Sequence, residues 1–270
     1  MRIWGKVLGA FFGFLLGNIF GALLGLWIGH RFDRGMGMSF RRAPTQQQQA
    51  VFFHATFAVM GHIAKASGQV TEQEIRVASN LMDRMHLSGA QRVRAQESFR
   101  QGKESGFPLR ETLAEFRRAS LGQRDILRFF LEVQLQAAFA DGRVEADERA
   151  ILQTIADELG ISRIELARIL AMAEAQMNFF HRQQQGGGQQ QYRQEAPSAD
   201  RLKDAYQLLG VSESDSDQDI KRAYRKEMSK HHPDKLAAKG LPPEMMEMAK
   251  EKTQEILQAW EWIREARGIR

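Results

Sequence analysis

The stretch IKRAYRKEMSKHHPDK, residues 220–235, predicts an amphipathic helix that ends at a proline. Ile220, Ala223 and Tyr224 fall on one face at helical spacing, with Met228 beside them. The other faces carry the basic side chains Lys221, Arg222, Arg225, Lys226 and Lys230. Pro233 stops the helix because it lacks an amide hydrogen and disfavours helical geometry in the residue before it.

Helical segments flank this stretch on both sides. Before it, AYQLLGV from Ala205 predicts a short helix ended by Gly210, and Ser216 with Asp219 is typical of a helix cap. After it, a second long helix is predicted to begin near Pro243. Its apolar face consists of Met246, Ala249, Ile256, Ala259, Trp260 and Ile263. The tip of the resulting antiparallel hairpin consists of His232, Pro233 and Asp234.

The order and spacing of these elements resemble the J-domain of the DnaJ co-chaperone family. The segment YQLLGVSESDSDQDIKRAYRKEMSKHHPDK, residues 206–235, carries that family's Y-x-x-L-G-V, I-K-x-A-Y-R-K and H-P-D patterns in order. The resemblance spans nearly all of residues 204–264. Two positions depart from the family pattern, since Glu227 stands at a usual core leucine and Thr253 at a usual phenylalanine.

The resemblance implies a co-chaperone that stimulates ATP hydrolysis by a DnaK-type chaperone. It implies that His232 and Asp234 make polar contacts with this partner and that Pro233 fixes their presentation. It also implies that the basic helix surface contacts an acidic patch of the chaperone and speeds association. The sequence contains no Ser/His/Asp grouping, phosphate-binding loop or H-E-x-x-H motif, so we predict no catalytic residue and no cofactor.

Residues 50–181 are predicted to form an all-helical domain with an internal repeat and a turn at Gly160. AKASGQVTEQE from Ala64 and AFADGRVEADE from Ala138 share the pattern A-x-A-[S/D]-G-x-V-x-x-x-E. Each copy predicts a helix, a tight turn at the glycine and a second helix with an acidic first turn. The domain resembles the TerB-like, tellurite-resistance type of helical domain.

The acidic turn of the second copy offers candidate oxygen ligands for a divalent cation. The candidates are Asp141, Glu145, Asp147 and Glu148, but Asp141 and Asp147 also suit turn and cap residues. The first copy has Ser67 where the second has Asp141, which favours the turn and cap roles. We therefore predict a self-association or partner-docking module, with metal binding by Asp141 and Asp147 as the weaker alternative.

The middle domain also supports a second hypothesis for the function. According to this hypothesis, the protein is a membrane scaffold or envelope-stress signalling receptor that acts through the TerB-like domain, and the J-domain is an accessory recruiter. The two hypotheses differ in the residues that a phenotype requires. A co-chaperone needs His232, whereas a receptor of this kind needs only residues 50–181.

The N-terminal stretch from Val7 to Ile28 is predicted to be a transmembrane helix. It contains no charged residue, and at 1.5 Å per residue it spans roughly 33 Å, enough to cross a bilayer core. A cleaved signal peptide is the alternative, but the apolar run exceeds about 15 residues and no A-x-A site follows it. Four arginines follow the span, whereas Arg2 and Lys6 precede it, so the positive-inside rule favours cytoplasmic C-terminal domains. This predicts a single-pass protein in the lipid bilayer of the bacterial inner membrane, with a periplasmic N-terminus.

Glycine recurs at every fourth position of this segment, from Gly5 to Gly29. A groove of glycines lets two helix backbones approach closely in lipid and gain dispersion contacts. The positions predicted to form a homodimer contact are Gly9, Gly13, Gly17, Gly21 and Gly25. Because steps of four residues drift around a helix, one crossing uses part of the stripe, with its predicted centre at Gly13, Gly17 and Gly21.

The predicted fold is all-α: a transmembrane helix, a TerB-like helical domain and a J-domain hairpin of residues 200–270. Two polar linkers separate these parts, at residues 31–49 and, rich in Gln and Gly, at residues 182–199. The formal net charge is +5, and residues 1–49 hold all of it, with six Lys or Arg against one acid. In the later parts of the chain the acidic and basic residues are equal in number, so we predict no nucleic-acid binding. The chain has no cysteine, which excludes disulfides and cysteine-ligated zinc.

Overall fold

The computed structural model describes residues 44–66, 68, 70–139, 144–185 and 199–269. The helices of this part are α1 (Gln46–Lys65), α2 (Glu72–Arg84), α3 (Gly89–Gly102), α4 (Leu109–Ala119), α5 (Arg124–Ala138), α6 (Ala146–Leu159), α7 (Arg163–Gln185), α8 (Ala199–Leu209), α9 (Asp217–His231), α10 (Pro233–Ala238) and α11 (Met246–Arg267). A short 3-10 turn, Pro243–Met245, precedes α11. The described residues contain no strand, and the predicted all-α fold class is confirmed.

The described residues belong to one compact unit, Pro44–Arg270. The predicted transmembrane helix and its glycine stripe lie outside the described residues. Within the described part, none of the helices combines the length and the apolar character needed to span a membrane.

Helix α1 lies at the centre of the middle domain, which comprises α1 to α7. It packs against α3, α4 and α5, and Phe57 on it is completely buried. Its closest approach is to α3. A Cβ added at Gly61 would lie 2.1 Å from the carbonyl oxygen of Phe99. One added at Gly102 would lie 1.8 Å from the carbonyl oxygen of Ala58, so this crossing requires glycine on both helices.

The two copies of the internal repeat start their second helices, α2 and α6, in the same way. Thr71 caps α2 in a capping box with Glu74, and Glu145 caps α6 in a capping box with Glu148. These caps confirm the predicted acidic first turns. Gly160 ends α6 in a left-handed conformation with φ 72°, at a position where the sequence predicts a turn.

Helix α1 begins inside the segment 31–49 that the sequence indicates as a linker. Thr45 and Gln48 form a capping box, with N···O distances of 3.2 and 2.9 Å. The Gln48 Nε2 also donates to the carbonyl oxygen of Ala119 at 2.9 Å. The glutamine run is therefore the first turn of a helix, because specific contacts hold it there. Helix α7 likewise extends to Gln185, beyond the predicted end of the middle domain.

Helices α8, α9 and α11 form the C-terminal hairpin that the sequence predicts. Helix α9 starts after Ser216, whose Oγ accepts the Asp219 N–H at 3.2 Å. The rings of Tyr224 and Trp260 stack with centroids 4.9 Å apart and join α9 to α11. The short helix α10 is absent from the sequence-based prediction. Pro233 ends α9 and also occupies the first position of α10, where its missing N–H costs no hydrogen bond.

The hairpin packs on the middle domain. Helix α8 lies against α7, and α9 contacts α5. The apolar side chains near the tip share the core of the middle domain; they are Leu236, Leu241, Met245, Met248 and Ala249. The apolar side chains in the half of the hairpin away from the tip form a separate core; they include Tyr206, Leu209, Ile220, Ile256 and Ile263. The middle domain therefore completes the apolar packing next to the tip.

Candidate functional site

The structure brings His232, Pro233 and Asp234 together at the junction of α9 and α10. His232 has a non-helical backbone with φ −58° and ψ 123°, and its Nδ1 accepts the Asp234 N–H at 3.2 Å. The N–H groups of Lys235 and Leu236 both donate to the carbonyl oxygen of His232 at 3.0 Å. His232 and Asp234 are exposed, and Pro233 is half-buried. The tip is therefore exposed and has a fixed backbone.

The predicted basic residues of α9 divide into two groups. An outer basic face consists of Arg222, Arg225 and Lys226, all exposed, with the half-buried Lys221 at its edge. The side chain of Arg222 is 85% exposed. Lys230 differs, because its side chain is 20% exposed and its Nζ donates to Glu227 Oε1 at 2.8 Å. Lys230 therefore turns away from the outer basic face.

Glu227, at the position of a usual J-domain leucine, is completely buried beside the middle domain. Its Oε2 accepts from Arg128 Nη2 at 3.1 Å, and its Oε1 lies 3.6 Å from Arg168 Nη2. A buried carboxylate needs such partners, because an unpaired buried charge costs on the order of several kcal/mol. The departure from the family pattern therefore supplies an ion pair between the two domains.

His231, the residue before the tip, forms a second buried contact with α5. Its Nε2 lies 2.8 Å from Glu132 Oε2, and its Nδ1 lies 3.0 Å from the carbonyl oxygen of Glu227. Because both ring nitrogens face oxygen acceptors, only the doubly protonated ring can donate to both. The Arg128 Nε donates to Glu132 Oε1 at 2.8 Å and links the two contacts. The interdomain charge cluster is defined as Arg128, Glu132, Glu227, Lys230 and His231.

Both carboxyl groups of the interdomain charge cluster have lowered pKa values. Burial by itself raises the pKa of Glu132, but its interactions with His231 and with nearby cationic side chains bring the pKa far below its usual range. Burial likewise raises the pKa of Glu227, and the charge of Arg128 with the hydrogen bond from Lys230 outweighs it. Both groups are therefore ionised in the folded protein and form ion pairs.

Arg128 and Glu132 have no role in the sequence-based prediction. They lie in α5 within the apolar run ILRFFLEVQL, residues 126–135. Two opposite charges four residues apart inside such a run are a signal of a buried ion pair, since single charges are rarely buried. Their partners stand 99 residues later in the chain, where no local pattern points to them.

The other candidate residues lie away from the tip or outside the described part. Asp147 is exposed in the first turn of α6, and Asp141 is not among the described residues. Glu148 accepts the Glu145 N–H at 2.8 Å and so acts as a helix cap. Across the described residues, no group of three His, Cys, Asp or Glu could hold a metal ion. The transmembrane candidates Gly9, Gly13, Gly17, Gly21 and Gly25 lie outside the described residues, and their pairing stays a prediction.

Three family models match this chain in succession. Residues 204–267 match the DnaJ domain, which contains the hairpin and its tip. Residues 53–171 match the tellurite resistance protein TerB, and residues 1–42 match the co-chaperone DjlA transmembrane domain. The exposed His-Pro-Asp tip and these matches define a membrane-anchored J-domain co-chaperone.

Curated relatives match along the whole chain. The co-chaperone protein DjlA of Photobacterium profundum is 54% identical over 278 residues, which cover 99% of this chain and 100% of the relative. The protein of the same name from Escherichia coli is 51% identical over 274 residues, which cover 100% of both chains. The chain belongs to the DjlA co-chaperone family. No solved structure matches it significantly.

Proposed function

We propose that this protein stimulates ATP hydrolysis by a DnaK-type chaperone through His232, Pro233 and Asp234. The observation that best supports this is the exposed tip with its fixed backbone between α9 and α10. His232 and Asp234 offer polar groups to the partner, and Pro233 holds them by locking φ and starting α10. In this role the protein regulates a partner ATPase, is not itself an enzyme and needs no cofactor.

The outer basic face of α9 brings the partner to the tip. An acidic surface on the ATPase is attracted over a screening length of about 8 Å at physiological salt, which raises the association rate. The tip then favours the hydrolysing conformation of the partner. It can do so only by binding that conformation better than the resting one.

Single-turnover ATP hydrolysis by the DnaK-type chaperone of the same organism tests this function. The full-length protein in detergent micelles is added over a series of concentrations. We expect a saturable acceleration above the basal rate of the chaperone. Hydrolysis at the basal rate across the whole series would contradict the proposal.

We propose that the protein lies in the bacterial inner membrane with its N-terminus in the periplasm. The arginines that follow the predicted span support this orientation, and so does the need of a DnaK-type partner for cytoplasmic ATP. A reporter enzyme that works only in the cytoplasm should be active when fused after Arg270. A reporter that works only in the periplasm should be inactive at the same site, and the reverse pattern would rule out this orientation.

We propose that the glycine stripe pairs two copies of the transmembrane helix. Replacing Gly13 and Gly17 by leucine should block close backbone approach and lower the dimer fraction several-fold, while insertion persists because leucine is more apolar. Crosslinking of the full-length protein in membranes at matched expression measures that fraction. The control, Ala22→Leu, adds bulk to the same helix on the side that points away from Gly13 and Gly17. Equal dimer fractions in the three proteins would exclude contact at Gly13 and Gly17.

A further inference from the structure

Three charged residues of α5 form a stripe that faces the segment around the tip. Asp125, Arg128 and Glu132 are spaced by three and four residues and therefore lie on one side of the helix. The pairs they form are Asp125 with Lys239, Arg128 with Glu227, and Glu132 with His231. The α5 clamp is defined as Asp125, Arg128 and Glu132.

The partners of the α5 clamp bracket the tip along the chain. Glu227 and His231 belong to the last part of α9, and Lys239 directly follows α10. The tip and the rest of α10 therefore lie between two points that are anchored to the same helix of the middle domain. Helix α10 has six residues, too few to be stable by itself, so it depends on such contacts.

Two of the three clamp contacts are buried, but the tip itself is not. The side chains of Glu227 and His231 are 0% and 2% exposed. Leu236 of α10 is also buried, in the core shared with the middle domain. His232 and Asp234 remain exposed, so a partner can reach the tip while the clamp contacts are formed.

We propose that the α5 clamp preorganises the His-Pro-Asp tip, and that Asp125, Arg128 and Glu132 are positioning residues for the co-chaperone activity. The clamp acts through the backbone of residues 231–239. Its effect on ATP hydrolysis rests on the proposed function, whereas its effect on the tip does not. The clamp also gives a reason for Glu227, because a leucine at this position could not pair with Arg128.

A fixed tip binds a partner with a smaller loss of conformational freedom than a mobile tip. Loosening the clamp should therefore weaken binding of the chaperone without changing the hydrolysis step. The concentration of this protein that gives half-maximal stimulation should rise, and the maximal rate should stay near that of the wild type. Partial unfolding would instead lower the maximal rate, because fewer molecules would be active.

The variants are made in the full-length protein in detergent micelles. Glu132→Gln removes one buried charge with little change in shape. Asp125→Lys places two like charges together, and combining it with Lys239→Asp restores an opposite pair. Asp125 and Lys239 are partly exposed, so this pair remains usable if the buried substitution fails to fold. The control, Glu158→Lys, reverses a charge that pairs with Arg110 on the middle domain.

Two measurements are made on each variant. Hydrogen exchange of the backbone amides of residues 234–241 reports on the tip segment without any partner. Single-turnover hydrolysis reports the half-maximal concentration and the maximal rate. We expect both the exchange rate and the half-maximal concentration to rise about tenfold in Glu132→Gln and Asp125→Lys, as for the loss of one charge-assisted hydrogen bond. The charge swap should recover most of both changes, and Glu158→Lys should match the wild type.

Unchanged exchange in Glu132→Gln and Asp125→Lys would overturn the clamp. Faster exchange with an unchanged half-maximal concentration would overturn the positioning role. Faster exchange with a lower half-maximal concentration would also overturn it, and would indicate that docking on the middle domain restrains the J-domain. If the wild type gives no stimulation, the proposed function fails, whereas exchange still decides whether the clamp exists.

Discussion

Replacing His232 by glutamine is expected to abolish the stimulation of ATP hydrolysis and to leave the hairpin folded. The imidazole is exposed at the tip, and its Nδ1 accepts the Asp234 N–H at 3.2 Å. Loss of such a cap costs about 1 kcal/mol, which a folded domain tolerates. In the proposed mechanism the imidazole itself contacts the chaperone, so the rate should fall to the basal value. Single-turnover hydrolysis with the full-length protein measures this loss.

The matched control is His86→Asn, at an exposed histidine of the middle domain. His86 has a left-handed backbone with φ 52°, a conformation that asparagine tolerates. This variant should stimulate hydrolysis as the wild type does. Hydrogen exchange of α9 should be the same in all three proteins, which separates loss of contact from unfolding. Full stimulation by His232→Gln would show that the tip is not the contact and would remove the proposed mechanism.

The hairpin could be predicted from the sequence because its determinants are local. Ser216 marks the start of α9, Pro233 marks its end, and helical spacing places Ile220 on the buried face. The turns of the middle domain could be predicted for the same reason, as at Gly160. Each of these signals involves residues that are close together in the chain, so the local sequence is enough to predict the element.

The α5 clamp could not be predicted because its members are far apart in the sequence from their partners. Arg128 and Glu227 are 99 residues apart, and their contact exists only after two domains have packed together. Lys230 shows the same limit, since helical spacing does not distinguish a face toward solvent from a face toward another domain. Helix α10 could not be predicted because Pro233 is both the residue that stops α9 and the first residue of α10, and the sequence pattern indicates only the stop.

Alanine at Arg222, Arg225 and Lys226 together should slow association with the DnaK-type chaperone about tenfold at low salt. The three side chains are exposed, so their removal leaves the core of the hairpin intact. Their attraction acts before contact is made, and the dissociation rate should therefore change much less. Stopped-flow fluorescence with a labelled chaperone measures both rate constants.

The salt dependence of association identifies the outer basic face as the cause. Wild-type association should slow as salt rises, because the screening length falls from about 30 Å at 0.01 M to about 8 Å at 0.15 M. The triple variant should respond less, and its rate should approach the wild-type rate at high salt. Alanine at Arg94, Arg100 and Arg118, all exposed on the middle domain, removes the same net charge and should keep the wild-type rate. Slowing by this control would assign the attraction to net charge, and a wild-type rate independent of salt would exclude electrostatic steering by α9.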